Sequence, residues 1–132
     1  MAISYEQWRI ERQAGIMFRS MSGMWVWKGQ DLTHTGSIAL VQTNISKIPF
    51  KIASVGFEVD VSKSQLTTLE NIPDNTQKLK CYRTEIKDLA HAPSKARTII
   101  AHSCPKLTSL QGVPVDMYKL DVFNCPIQTM KY

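Results

Sequence analysis

The chain has 132 residues, with 16 Lys and Arg against 11 Asp and Glu, a net charge of +5. That length suits one domain spanning 1–132, and 43% hydrophobic with 20% charged residues argues a folded chain rather than a disordered one. No apolar run approaches the roughly 18 residues of a membrane span, so no membrane partner is expected. The start MAISYEQWRIERQ lacks the basic and apolar regions of a secretion signal. Three cysteines fit a reducing compartment, the cytoplasm, better than a disulfide scaffold.

The first expected element is a helix over 4–19. Ser4 and Gln7 form an S-x-x-Q capping pattern, followed by apolar residues at Tyr5, Trp8, Ile10, Ala14, Met17 and Phe18. Gly15 weakens an unbroken helix. Trp25-Val26-Trp27 followed by Lys28-Gly29 then predicts a strand and a turn. Residues 1–35 thus read as an N-terminal cap.

From residue 36 onward the chain repeats itself. One frame, L-x-L-x-x-N/C/T-x-L-x-x-L, fits five times. Its members are Ile38, Leu40, Thr43, Ile45 and Ile48; Val59, Val61, Ser64, Leu66 and Leu69; Leu79, Cys81, Thr84, Ile86 and Leu89; Ile99, Ala101, Cys104, Leu107 and Leu110; and Leu120, Val122, Cys125, Ile127 and Met130. The spacings are 21, 20, 20 and 21 residues, and the fourth unit has one extra residue after Cys104. Pro73, Pro93 and Pro114 recur on the return segments, where an extended, donor-free backbone is expected. The L-x-L segment predicts a short strand. A unit this small cannot enclose a core, so neighbours must stack. The short residue (Thr43, Ser64, Thr84, Cys104, Cys125) sits where the chain turns and can bond turn backbone.

These residues resemble the leucine-rich repeat family over 36–130. Residues 117–130 match its L-x-x-L-x-L-x-x-C-x-L-x-x-L consensus position by position, and the period is similar to that of the short bacterial and phage repeats. The resemblance implies a leucine-rich-repeat solenoid: a parallel β-sheet on the concave face, an irregular, extended convex side, and here an N-terminal α-helical cap. The family implies protein binding. The concrete expectation is a phage or bacterial factor that binds and modulates a host protein, in the host cytoplasm if viral.

The frame also assigns faces. Residues at −1, +1 and +3 from the first position point outward. At +3 stand Val41, Ser62, Tyr82, His102 and Phe123, so Tyr82, His102 and Phe123 form an expected aromatic stripe. Arg83, Lys78, Lys80, Ile100 and Lys119 lie beside it. Aromatics with Arg are the composition of interface hot spots. Adjacent strands should place Glu58 against Lys78 and Asp60 against Lys80. Residues 78–106 hold seven basic and two acidic residues, the whole excess of +5. An acidic protein surface is the expected partner, with nucleic acid bound by the basic belt of repeats three and four second, and an assembly role through the solenoid ends as the further alternative.

Chemistry for an enzyme is missing from the sequence. No paired carboxylates, nucleophile elbow, P-loop or Rossmann glycine pattern appears, and Ser103 beside His102 points to the opposite face. A metal site of Cys104, Cys125 and His102 is not expected, because the frame sends His102 outward and the thiols inward. No cofactor is expected. Trp8, Trp25 and Trp27 are expected to close the N-terminal end. The C-terminal end is expected to pair with a second copy or a partner, since an open layer exposes core and strand edge.

Overall fold

The structure is a computed structural model that describes residues 18–41 and 44–128. It holds eight strands: β1 (Phe18–Ser20), β2 (Trp25–Lys28), β3 (Asp31–His34), β4 (Ile38–Leu40), β5 (Glu58–Asp60), β6 (Lys78–Lys80), β7 (Thr98–Ile100) and β8 (Lys119–Asp121). A six-stranded sheet runs β1-β4-β5-β6-β7-β8, and β2-β3 form a separate two-stranded sheet.

Two expectations are corrected here. The fold is not the expected leucine-rich-repeat solenoid with a parallel β-sheet on its concave face, an irregular, extended convex side and an N-terminal α-helical cap. It is a mixed six-stranded sheet with an adjoining two-stranded sheet, and the described residues contain no helix. The helix expected over 4–19 falls mostly outside the described residues. Its last two positions, Phe18 and Arg19, are in β1, which pairs antiparallel with β4. The reason is burial: Phe18 is almost wholly enclosed and stacks edge-on to Trp25 at 6.4 Å. Helical spacing of apolar residues lost to a strand that can seal the first edge of the sheet.

Strands β4 to β8 pair in parallel, with Val59 opposite Leu79, Leu79 opposite Ile99 and Ile99 opposite Leu120. The backbone ladder continues past the strands. Val61 N–H donates to Lys80 O, Cys81 N–H to Ile100 O and Ala101 N–H to Asp121 O, at 2.7–2.8 Å. On the return side Thr67 N–H reaches Ser46 O and Gln128 N–H reaches Thr108 O, each at 2.8 Å. Successive layers are therefore bonded at several points of their circuit.

One core runs through these layers. Val59, Val61, Leu66 and Leu69 of one layer stand under Leu79, Cys81, Ile86 and Leu89, then Ile99, Ala101, Leu107 and Leu110, all buried. Each large aliphatic side chain so buried stabilises by roughly 1.5–3 kcal/mol. The last layer differs: Leu120, Val122, Cys125 and Ile127 are only partly buried.

The short frame residues bond backbone. Ser64 Oγ donates to Val61 O at 2.7 Å and Thr84 Oγ1 to Cys81 O at 2.9 Å. Cys104 Sγ donates to Cys81 O at 3.3 Å and Cys125 Sγ to Ala101 O at 3.1 Å. Thr43 and Met130 lie outside the described residues. Each turn after a strand then holds a left-handed residue: Lys63, Arg83, Ser103 and Asn124, with φ between 56° and 60°. A second such row is Asn71, His91 and Gly112. Only Asn and Gly suit that region well. Lys63, Arg83 and Ser103 are held there because their N–H groups bond Tyr82 O, His102 O and Phe123 O of the next layer.

The β2–β3 hairpin turns at Gly29, whose φ is 65°. It docks on the first return segment: His34 N–H donates to Ser54 O and Ala53 N–H to Leu32 O. Trp25 and Trp27 pack on the core from this side, while Trp8 lies outside the described residues. Gly56 packs its Cα against Thr35 O and the Gly36 backbone, leaving no room for a side chain.

Candidate functional site

The outward face of the sheet is built by side chains flanking the buried strand centres. On β4 the flanking Ser37 and Ala39 are buried, because β1 and Ser22 lie against that strand. The accessible face begins at β5.

Glu58 stands beside Lys78 and Asp60 beside Lys80, as the spacing predicts. The ion pairs do not follow that pairing. Glu58 takes both lysines, Lys78 Nζ at 4.0 Å and Lys80 Nζ at 3.6 Å. Asp60 Oδ1 instead accepts the N–H of Ser62 at 2.9 Å, the local bond that an Asp at the start of a turn prefers. The Glu58 side chain is only 13% exposed. Two of the eight expected contact residues, Lys78 and Lys80, therefore have part of their charge answered within the chain.

Tyr82 and His102 are brought together. Their rings stack with centroids 4.6 Å apart and planes 13° from parallel. His102 Nδ1 lies 3.0 Å from Ser103 Oγ, so Ser103 does not take the opposite face that strand alternation predicts, because it sits in a left-handed turn past the strand. Phe123 occupies the same position one layer on and is 78% exposed. Ile100 is half-buried on the sheet face between Lys80 and Asp121. Arg83 is exposed at the rim, in the left-handed turn. Lys119 is exposed on β8, beside the neutral Thr98. The eight residues thus share one face but not one pocket.

A second row escaped the sequence reading. Phe57, Gln77, Arg97 and Tyr118 precede the strands by one residue, and their backbones join adjacent layers. Phe57 and Tyr118 are exposed large side chains, Tyr118 to 85%. The signal was present, because each stands at −2 from a frame position.

The three cysteines are free thiols. Burial pushes the Cys81 thiol well above its ordinary pKa and raises that of Cys125. Neither environment activates a nucleophile. Among the described residues no group of three or more His, Cys, Asp and Glu gathers as metal ligands would. No helix among them is long and apolar enough to cross a membrane.

His34 is the other buried titratable side chain, and it serves the N-terminal region. Gly36 N–H donates to its Nδ1 at 3.0 Å, and its Nε2 lies 2.7 Å from Ser20 Oγ. The ring therefore carries its proton on Nε2 and is neutral. Burial lowers its pKa, and the edge of Trp25 closes it at 4.8 Å.

No protein-family model matches the chain, and comparison with curated proteins and with solved structures finds no similar protein.

Proposed function

We propose that the chain is a non-enzymatic binding protein whose outward sheet face takes an acidic surface of a partner protein. The observation that carries this reading is the stacked Tyr82–His102 pair leading to the exposed Phe123. Phe123 exposes apolar area to solvent beside the half-buried stacked pair, and aromatic anchors beside Arg are typical of hot spots. Arg83 and Lys119 flank the row and supply the complementary charge. The three free thiols support a reducing compartment, the cytoplasm. The partly buried last layer supports self-association through the C-terminal end as a separate contact.

The test is a pull-down from native lysate with wild type and a Tyr82→Ala/Phe123→Ala variant. A protein captured by wild type should be lost with the variant, whose circular dichroism spectrum should stay unchanged. Retention by the folded variant sinks the stripe as the site.

A nucleic-acid partner is the second reading, favoured by exposed Arg83, Lys95, Arg97 and Lys106. Glu58 weakens it by neutralising the face between Lys78 and Lys80. Salt separates the two. Affinity for a labelled oligonucleotide should fall steeply between low and moderate salt if phosphates are the ligand, whereas an aromatic-anchored protein contact should change little.

A further inference from the structure

β8 is the terminal strand of the sheet, and no strand pairs with its outer edge among the described residues. The inner layers show which of its backbone groups face that edge. Thr98 N–H donates to Gln77 O and Cys81 N–H to Ile100 O, so residues 77, 79 and 81 address the following strand. By the same alternation, Leu120, Val122 and the carbonyl of Tyr118 address the open edge of the last layer, while Tyr118 N–H donates to Arg97 O at 2.8 Å. Lys119 N–H and Asp121 O turn the other way, bonding Arg97 O and Ala101 N–H of the preceding layer.

The charges of β8 are not matched by β7, although Asp121 Oδ1 accepts the N–H of Phe123 at 3.0 Å, the turn bond that Asp60 makes to Ser62, and leaves Oδ2 to meet a cation. Lys119 stands beside Thr98 and Asp121 beside Ile100. By contrast, β5 reads Glu-Val-Asp and β6 reads Lys-Leu-Lys, and these fit each other in parallel. β8 reads Lys-Leu-Asp. Turned end for end, that sequence is complementary to itself. None of β5, β6 and β7 has this property: the first two would face like charges, and β7 (Thr-Ile-Ile) carries none.

We propose that two copies of the chain pair through β8, antiparallel and about a two-fold axis at Leu120. Leu120 faces its own counterpart, and the two residues exchange N–H···O bonds. On each side of the axis Val122 N–H then donates to Tyr118 O of the other copy, a single bond because Tyr118 N–H is held by Arg97 O. Lys119 then faces Asp121 of the other copy, twice, in the non-hydrogen-bonded positions where side chains approach most closely. Leu120 and Val122, half-buried in the single chain, gain cover, Leu120 from its counterpart and Val122 from Tyr118 of the other copy. Isologous contacts of this kind close at two copies. The interface is at the small end of the size range, so the association should be concentration-dependent.

The pairing deepens the self-association part of the proposed function; it shares Lys119 with the flank of the aromatic stripe and uses neither Tyr82 nor His102. The experiment is sedimentation of the full chain from ~5 to ~500 µM, a range that spans weak dimers. Wild type should pass from monomer to dimer across it. Lys119→Asp alone faces Asp with Asp, and Asp121→Lys alone faces Lys with Lys. Each should weaken the dimer at least about tenfold, the scale of one lost charge pair. An equimolar mixture of the two variants should restore it, because every charge then meets its opposite. Lysine fits position 121 because Lys80 holds the equivalent place in β6. Tyr82→Ala should leave the dimer unchanged.

A wild type monomeric throughout overturns both self-association and this register. A dimer indifferent to the charge changes, or one not restored by mixing, overturns the register alone. Amide exchange at Leu120 in wild type gives a check free of any substitution. Its protection should rise with concentration, and protection independent of concentration also overturns the pairing.

Discussion

The layer of β6 and the layer of β8 are written in nearly the same pattern, yet they sit in different environments. Leu79, Cys81, Ile86 and Leu89 are completely buried, with a layer on each side. Leu120, Val122 and Ile127 hold the matching places and are only half-buried. The aromatic residues show the same contrast. Tyr82 is covered by the ring of His102, whereas Phe123 is 78% exposed. Burial here is a property of neighbours rather than of the residue's own pattern. A layer contributes to the core only as far as another layer covers it.

The largest expected effect tests that contrast directly. Leu79→Asp places a carboxylate among apolar side chains with no partner and should unfold the chain. Leu120→Asp should leave a cooperative thermal transition, because water reaches its site. The alanine pair sharpens the point: Leu79→Ala should cost about 2–5 kcal/mol in denaturant melts, with Leu120→Ala well below that. Equal losses at both positions would break the comparison. Next, Gly56→Ala should cost roughly 1–3 kcal/mol, since its Cβ would press on Thr35 O and the Gly36 backbone. A smaller effect is expected at the turn residues. Thr84→Val should cost about 1 kcal/mol for the lost bond to Cys81 O. Cys125→Ser, in the open layer, should cost less.

The smallest effect is a pH dependence in the N-terminal region. Burial lowers the pKa of His34 in the folded chain. The unfolded chain, with an ordinary His near ~6.5, therefore takes up its proton first as pH falls. Stability should be full above that value and decline as pH drops from it toward the lower folded pKa. His34→Gln should remove this slope, read as the midpoint of urea unfolding between pH 7 and pH 5. An unchanged slope would place the titration elsewhere.

The strand positions were legible in the sequence: Val59, Leu79, Ile99 and Leu120 are the centres of β5 to β8, and Ile38 opens β4. A strict alternation at 20–21-residue spacing leaves little freedom in how neighbours align, so the facing of Glu58 and Lys78 could also be read. Other features could not. The antiparallel β1 was hidden because Phe18 carries an apolar spacing that a helix and a strand can both use. The choice of Glu58 over Asp60 by Lys80 depends on side-chain reach and on the turn bond that Asp60 makes to Ser62. The left-handed rows at Lys63, Arg83 and Ser103 carry no local signal, because the next layer imposes them. The eight expected contact residues share a face through strand register. Which of them are free to bind was decided by the ion pairs and the ring stack.

The uniform spacing of the parallel strands bears on how the chain reaches this structure. Nearly every bond between layers joins residues 19–21 apart. Adding any one layer to its neighbour therefore closes a loop of the same length, at the same entropic cost. What differs between layers is the reward on closure, which is large where a further layer follows and small at β8. Assembly should thus start among the middle layers, where burial on both sides repays closure at once, and spread outward. Opening should begin at the C-terminal layer, long before the chain unfolds as a whole.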